Sequence, residues 1–213
     1  DVDLAAKKCR IGAFYYCGQS CIAVQRIYAQ EKVFSSFVKK YVAEVKTLRA
    51  GNPLHPKTEL GVLVDEENKR RVKEWLQEAL FTGAKILHGG KEVKEQLQPT
   101  LLTNVPQRCA VVCKEMFGPV KIIEKYKTFD DALRIVNDSV YGLQAGVFTN
   151  RMDYILKAFK ELEVGGVTVN EVPTFRVDHM PYGGVKDSGF GREGLRYSIQ
   201  DMTGEKILIV NVP

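Results

Sequence analysis

The sequence predicts an α/β fold: an open, mostly parallel sheet with helices on both faces. Three observations carry that expectation. Short apolar runs, such as Val120 to Tyr126 and Val167 to Asn170, alternate with longer stretches whose apolar residues recur every three or four positions. Several of the short runs lack strict polar alternation, as strands buried on both faces do. Stop signals such as Gly51-Asn52-Pro53, Gly83 and Gly89-Gly90 separate the two kinds of segment.

Taken in order, Asp1 or Asp3 caps a helix running to about Tyr16, with Leu4, Ala5, Ile11 and Phe14 facing inward. The apolar run Ile22 to Ala29 reads as a buried strand. Phe34, Phe37, Val38, Tyr41, Val42, Val45 and Leu48 then define a long amphipathic helix. Asp65 caps a second one carrying Val72, Trp75, Leu76, Ala79 and Leu80, which Gly83 stops. Strands are expected at 85–88, 100–103, 109–113 and 120–126. Thr128 opens a helix, with Asp131 placed for a capping box. A strand over 143–149, a helix capped by Asn150 and reaching Leu162, and a strand over 167–170 follow. The segment 171–191 is rich in Gly and Pro and too long for a plain connector, which marks it as a functional loop. A short helix near 192–201 and a terminal strand, Lys206 to Asn211, complete the chain. There is no internal repeat, low-complexity stretch or linker, so residues 1–213 read as one domain.

Composition narrows the function. The chain has 213 residues, 45% hydrophobic and 27% charged, in the range of soluble globular proteins. No run of about 18 apolar residues is present, so no membrane partner is expected, and the acidic start is no signal peptide. The net charge of +5 is mild and its lysines are spread over helix faces, which argues against a nucleic-acid partner. Five cysteines form an odd set that predicts no disulfide framework, and a reduced, cytoplasmic setting follows. The spacings Cys17-x3-Cys21 and Cys109-x3-Cys113 would allow a four-thiolate zinc site. The turns and glycines such a site needs are missing around Cys109, and no metal is expected. The histidines at 55, 88 and 179 are scattered.

The stretch Tyr16 to Ala23 carries the main chemical signal. Cys21 lies at a helix-to-strand junction near Gly18, where a thiol can be held in a cleft beside backbone N–H groups. The same residue also reads as an ordinary buried thiol. Gly189-x-Gly191-x-x-Gly194 spells the dinucleotide fingerprint, but no strand precedes it and no second βαβ half follows. It is therefore read as a turn where backbone crowds backbone. Glu115, in a turn between two apolar runs, is placed either to be solvated or to accept hydrogen bonds from a ribose diol.

Together these pieces resemble the aldehyde dehydrogenase superfamily. The resemblance rests on Gly18-Gln19-Ser20-Cys21, the turn Glu115-Met116-Phe117-Gly118-Pro119-Val120, the run Tyr141 to Thr149, Gly165-Gly166-Val167-Thr168-Val169-Asn170, and the run Pro181 to Gly194. Their order is that of the family's catalytic domain, and they cover the whole chain. The resemblance implies that Cys21 attacks an aldehyde, with its backbone N–H as one oxyanion donor. Hydride then passes to NAD or NADP, and a thioester is hydrolysed. It assigns Glu115 to the nicotinamide ribose, Phe117 to packing beside that ring, and Ser20 and Ile22 to the substrate side of the thiol. Arg176, in the loop after the 167–170 strand, is placed either to pair with a carboxylate or phosphate on the substrate or to be solvated as an ordinary loop arginine. Phe175 to Asp178 and Tyr197 to Met202 are most similar to the lactaldehyde and non-phosphorylating glyceraldehyde-3-phosphate branches. The family's general base, in a Glu-Leu-Gly-Gly-type motif, its asparagine oxyanion donor and its cofactor-binding domain have no counterpart here. A catalytic fragment is therefore expected, inactive alone and assembling as a homo-oligomer, a dimer or tetramer, through the terminal strand. A non-catalytic assembly module pairing with dehydrogenase subunits, and a thiol-dependent esterase, are the other readings.

Overall fold

The computed structural model describes residues 1–93 and 96–212. Helix α1 (Val2–Phe14) starts at Asp1, whose carboxylate accepts from the Leu4 N–H at 2.9 Å. Its inner face is Ala5, Ala6, Cys9, Ala13 and Phe14. Ile11, expected inside, is 55% exposed, and Leu4 is only half-buried. Ile11 lies two residues beyond Cys9, about 200° round the helix, so it cannot share that stripe. The small residues on the stripe let α2 (Glu31–Lys46) pack closely through Phe37, Tyr41 and Val45.

Strand β1 (Arg26–Gln30) begins four residues later than the apolar run suggests. The Val24 N–H donates to the Gly12 carbonyl at 3.0 Å, and the Gln25 amide bonds to the carbonyls of Val111 and Lys114. The Val24 N–H is thus committed outside the sheet, and the Gln25 carbonyl, which accepts from the Ile122 N–H at 3.0 Å, stands just before the strand begins. Helix α3 (Glu66–Phe81) is capped by Asp65, which accepts from the Asn68 N–H at 2.6 Å. Strand β2 (Lys85–His88) follows, then the small hairpin β3 (Glu92–Val93) with β4 (Gln96–Leu97), and β5 (Thr100–Thr103).

The expected strand over 109–113 is instead a helical turn, α4 (Ala110–Cys113). The Cys109 carbonyl accepts from the N–H groups of Val112 and Cys113 at 2.8 and 3.1 Å, and Glu78 accepts from Ala110 at 3.3 Å. Glu115 therefore sits between a helical turn and a strand. Strand β6 (Val120–Tyr126) leads to α5 (Phe129–Asn137), where Thr128 and Asp131 form the expected capping box. Strand β7 (Tyr141–Gly142) precedes the run expected as one strand over 143–149, of which β8 (Gln144–Val147) forms only the middle part. Helix α6 (Met152–Glu161) has Arg151 rather than Asn150 at its N-cap, and a guanidinium, which only donates, cannot cap it; it turns instead onto Asp153 and the Tyr154 ring. Strands β9 (Gly166–Val169) and β10 (Val185–Lys186) and helix α7 (Leu195–Met202) complete the order.

The main sheet runs β1-β6-β5-β2, with β1 and β5 parallel to the central β6 and β2 antiparallel at the edge. Both faces are covered. Leu101 and Ile123 join the core under α1 and α2, while their neighbours Leu102 and Ile122 join the core under α3 and α4. That adjacent residues enter opposite cores is the period-two geometry of a doubly covered sheet. Strands β8 and β9 pair in parallel and pack with α5 and α6. Among the described residues no helix is long and apolar enough to cross a membrane.

Lys206 to Asn211 forms neither strand nor helix, contrary to expectation. Ile207, Leu208, Ile209 and Val210 are 82%, 86%, 75% and 68% exposed. An isolated strand cannot satisfy its backbone, and among the described residues no strand pairs with this segment. The Gly189 to Gly194 segment is a turn, as expected. Gly189, Gly191 and Gly194 all have positive φ, and a Cβ on Gly183 would lie 2.7 Å from the Gly191 carbonyl.

Candidate active site

After α1 the chain makes a tight turn, Tyr15–Gly18, in which Tyr16, Cys17 and Gly18 take φ of 47°, 61° and 74°. Only glycine fits the third position, since a Cβ there would collide with the Gly118 carbonyl. The Gln19 side chain ties the loop down, its Oε1 accepting from the Val64 N–H at 2.7 Å. Cys17 points inward and donates to the Gly61 carbonyl at 3.5 Å, and burial pushes its thiol up. Cys21, four residues on, emerges exposed. Among the described residues its N–H has no acceptor, so it is available to an incoming oxygen.

The Cys21 Sγ lies 3.1 Å from the hydroxyl of Tyr182, a residue that is only 6% exposed. Burial, and then the bond to Cys21, push the Tyr182 phenol well above its ordinary range, so it keeps its proton. The Arg176 guanidinium lies 4.1 Å from the centre of the Tyr182 ring and pairs with Glu193 at 3.2 Å. Glu193 is in turn the backbone partner of Tyr182.

The turn bearing Glu115 and Phe117 is held from three sides. Arg71 donates to the carbonyls of Glu115 and Met116 at 3.3 and 2.7 Å, Asn68 donates to that of Phe117 at 3.1 Å, and Gln25 Oε1 accepts from the Met116 N–H at 2.8 Å. Phe117 takes a left-handed φ of 46°. Beneath both loops lies Lys121, which is 1% exposed, its Nζ 2.6 Å from the position a Gly18 Cβ would take. Burial pulls its ammonium down to about 7, and the neighbouring Cys17 opposes that shift.

One cavity of about 790 Å³ is lined by Cys21, Ile22 and Glu115, and by strands β1 and β8. Ser20, Phe117 and Arg176 stand outside this lining; Arg176 reaches the thiol through Tyr182 instead. The sequence reading missed Tyr182, Gln25 and Arg71. In the sequence Tyr182 is one aromatic in a Gly-rich loop, and nothing local marks it as a thiol's neighbour. No group of three or more His, Cys, Asp or Glu side chains suited to a metal ion occurs among the described residues.

A doubly covered, mostly parallel sheet with a cavity lined by a thiol and a carboxylate is an α/β domain with a candidate active site. Its family is equally plain. Residues 1–208 match the aldehyde dehydrogenase family model, and the chain belongs to that family. It is 44% identical over 212 residues to 3-sulfolactaldehyde dehydrogenase of Priestia megaterium, covering 100% of this chain and 44% of the relative. It is 41% identical to lactaldehyde dehydrogenase of Methanococcus vannielii, covering 99% and 45%. Aldehyde dehydrogenase 21 of Physcomitrella patens, solved with the reaction product succinate, superposes with a TM-score of 0.92 at 40% identity, over 95% of this chain and 42% of that one. The glyceraldehyde-3-phosphate dehydrogenase GapN of Methanocaldococcus jannaschii, solved with NADP, gives 0.91 at 38%, over 95% and 44%. The chain thus spans less than half the length of the curated relatives it matches.

Proposed function

We propose that this chain is the nucleophile-bearing part of an NAD- or NADP-dependent aldehyde dehydrogenase, and that Cys21 is its nucleophile. The observation that carries the reading is the exposed Cys21 sulfur at the Tyr182 hydroxyl, on the cavity that Glu115 also lines. The thiolate attacks the aldehyde carbon, the C–S bond forms, and the carbonyl π pair moves onto oxygen, where the Cys21 N–H donates to it. When bound, NAD or NADP accepts the hydride that the tetrahedral carbon gives up. Water then breaks the C–S bond of the remaining thioester, releasing the acid and restoring the thiol. Glu115 fits a ribose diol as an exposed acceptor on a turn fixed by Arg71, Asn68 and Gln25, and Phe117 stands two residues away beside it. Polar groups held before the ligand arrives lose little freedom on binding it.

Arg176 selects anionic aldehydes in this reading. 3-Sulfolactaldehyde carries a sulfonate and succinate two carboxylates, and the relatives bearing those names support a guanidinium near the thiol. Part of the machinery lies outside these residues, so the chain alone is expected to lack turnover. Its exposed apolar segment Ile207 to Val210 favours self-association, most simply as a two-fold dimer. The test is to assay the chain, and a longer polypeptide carrying the cofactor-binding half, against an aldehyde panel with NAD and NADP. Light scattering of the chain is run alongside. Turnover is expected only in the longer polypeptide, with association in the chain. A monomeric chain that oxidises aldehydes by itself would overturn the reading.

A further inference from the structure

We infer that Tyr182 is a positioning residue for the nucleophile: its phenol O–H donates to the Cys21 thiolate and holds the sulfur in one orientation. This rests on the reading of Cys21 as nucleophile and deepens it. Cys21 lies in an exposed turn, where a sulfur left to itself exchanges among staggered rotamers. Tyr182 is its opposite. Its N–H donates to the Glu193 carbonyl at 3.0 Å, and the Glu193 N–H donates back at 2.6 Å. Its ring is covered by Arg176, and the residue is buried. A hydroxyl on so fixed a ring, 3.1 Å from Sγ, selects the rotamer that reaches it.

The chemistry decides the donor. While Cys21 carries its proton, either atom can donate. Once it is ionised the sulfur has no hydrogen, so the phenol must donate, and only a phenol that keeps its own proton can. Two charged groups face Tyr182 from the packed segments. The Arg176 guanidinium eases loss of the phenol proton and the Glu193 carboxylate opposes it; burial, acting in the same direction as Glu193, outweighs Arg176. The donor therefore persists through the range in which a thiol ionises. Stabilising the thiolate enlarges the reactive fraction near neutral pH by more than it blunts the sulfur. When sulfur attacks carbon its charge passes to the substrate oxygen. The hydrogen bond weakens, and no proton leaves Tyr182.

The test uses the chain itself. Iodoacetamide is reacted at a series of pH values, and the rate at each cysteine is read by mass spectrometry in the wild type and in Tyr182→Phe. The rate at Cys21 is expected to fall roughly three- to tenfold near neutral pH, its pH profile moving to higher pH, with Cys113 unchanged. A simple loss of shape would not move the profile at Cys21 alone. Superimposable Cys21 profiles in the two proteins would overturn the inference while leaving Cys21 as nucleophile. A wild-type Cys21 no faster than Cys113 at any pH would overturn both. Exposure of Cys9, Cys17 and Cys109 to reagent would show that Tyr182→Phe had unfolded. Tyr182→His, which keeps a ring N–H donor, then decides: a near-wild-type profile supports the inference, and a tenfold loss in folded protein rejects it.

Discussion

The chain contains the same spacing twice, Cys17-x3-Cys21 and Cys109-x3-Cys113, and the two copies behave alike up to a point. In each, the first thiol is buried, at 5% and 0% exposure, and the second is exposed. The difference lies in what meets the exposed sulfur. Among the described residues Cys113 meets the carbonyl of Arg108 at 3.7 Å, a group with no hydrogen to give. Cys21 finds a phenol that keeps its proton, an uncommitted N–H of its own, and a cavity shared with Glu115. Exposure gives a thiol access; a donor and a cleft are the further features that covalent catalysis by a thiol requires.

The sharpest way to break this comparison is to remove each exposed thiol in turn from the longer polypeptide that carries the cofactor-binding half. Cys21→Ser is expected to lower kcat by at least about 10³-fold, because an alkoxide is neither formed nor expelled as a thiolate is. Cys113→Ser should stay within about twofold. Equal losses would show that the surroundings of the two sulfurs do not matter.

Arg176 comes next, as the guanidinium over the ring whose hydroxyl meets Cys21. Arg176→Ala is expected to raise KM about tenfold or more for sulfonate- or carboxylate-bearing aldehydes, against about twofold for neutral ones. Steady-state kinetics on a matched pair of substrates reads the ratio, and equal shifts would reject the role.

The smallest effect concerns the buried members. Cys17 shares its interior with Lys121, whereas Cys109 meets the Thr82 hydroxyl at 3.1 Å. Burial holds the Lys121 ammonium at about 7, against 10.5 ordinarily. Below pH 7 the folded and unfolded chains both carry the proton, and the folded chain bears the full penalty of burying it. Between 7 and 10.5 only the unfolded chain still holds the proton, so the penalty fades as pH rises. Lys121→Met should therefore stabilise the chain by about 1–3 kcal/mol at pH 6, with Tm rising roughly 2–4 °C per kcal/mol. The gain should shrink toward pH 10. A gain independent of pH would mean that the amine is not held neutral by burial.

The two copies also show what a sequence discloses. That Cys21 and Glu115 belong together was legible because their motifs keep order and spacing over the chain, and they do line one cavity; Thr128 with Asp131 was legible because a capping box is a local hydrogen-bonding unit. Cys109 to Cys113 was misread as a strand. A run of five apolar residues has too little periodicity to separate strand from helix, and the deciding contact comes from Glu78 on another element. Ile207 to Val210 has the composition of a strand but no neighbour here, and composition does not report neighbours. Tyr182 was invisible for the same reason: 161 residues separate it from the sulfur it touches.

The central claim, that Cys21 forms the covalent bond to substrate, is tested most directly by trapping that bond. The longer polypeptide is mixed with aldehyde and cofactor, quenched in acid within one turnover, digested and examined by mass spectrometry. An acyl group is expected on the peptide carrying Cys21 and absent from those carrying Cys9, Cys17, Cys109 and Cys113. An acyl group on Cys113, or turnover undiminished in Cys21→Ser, would contradict it.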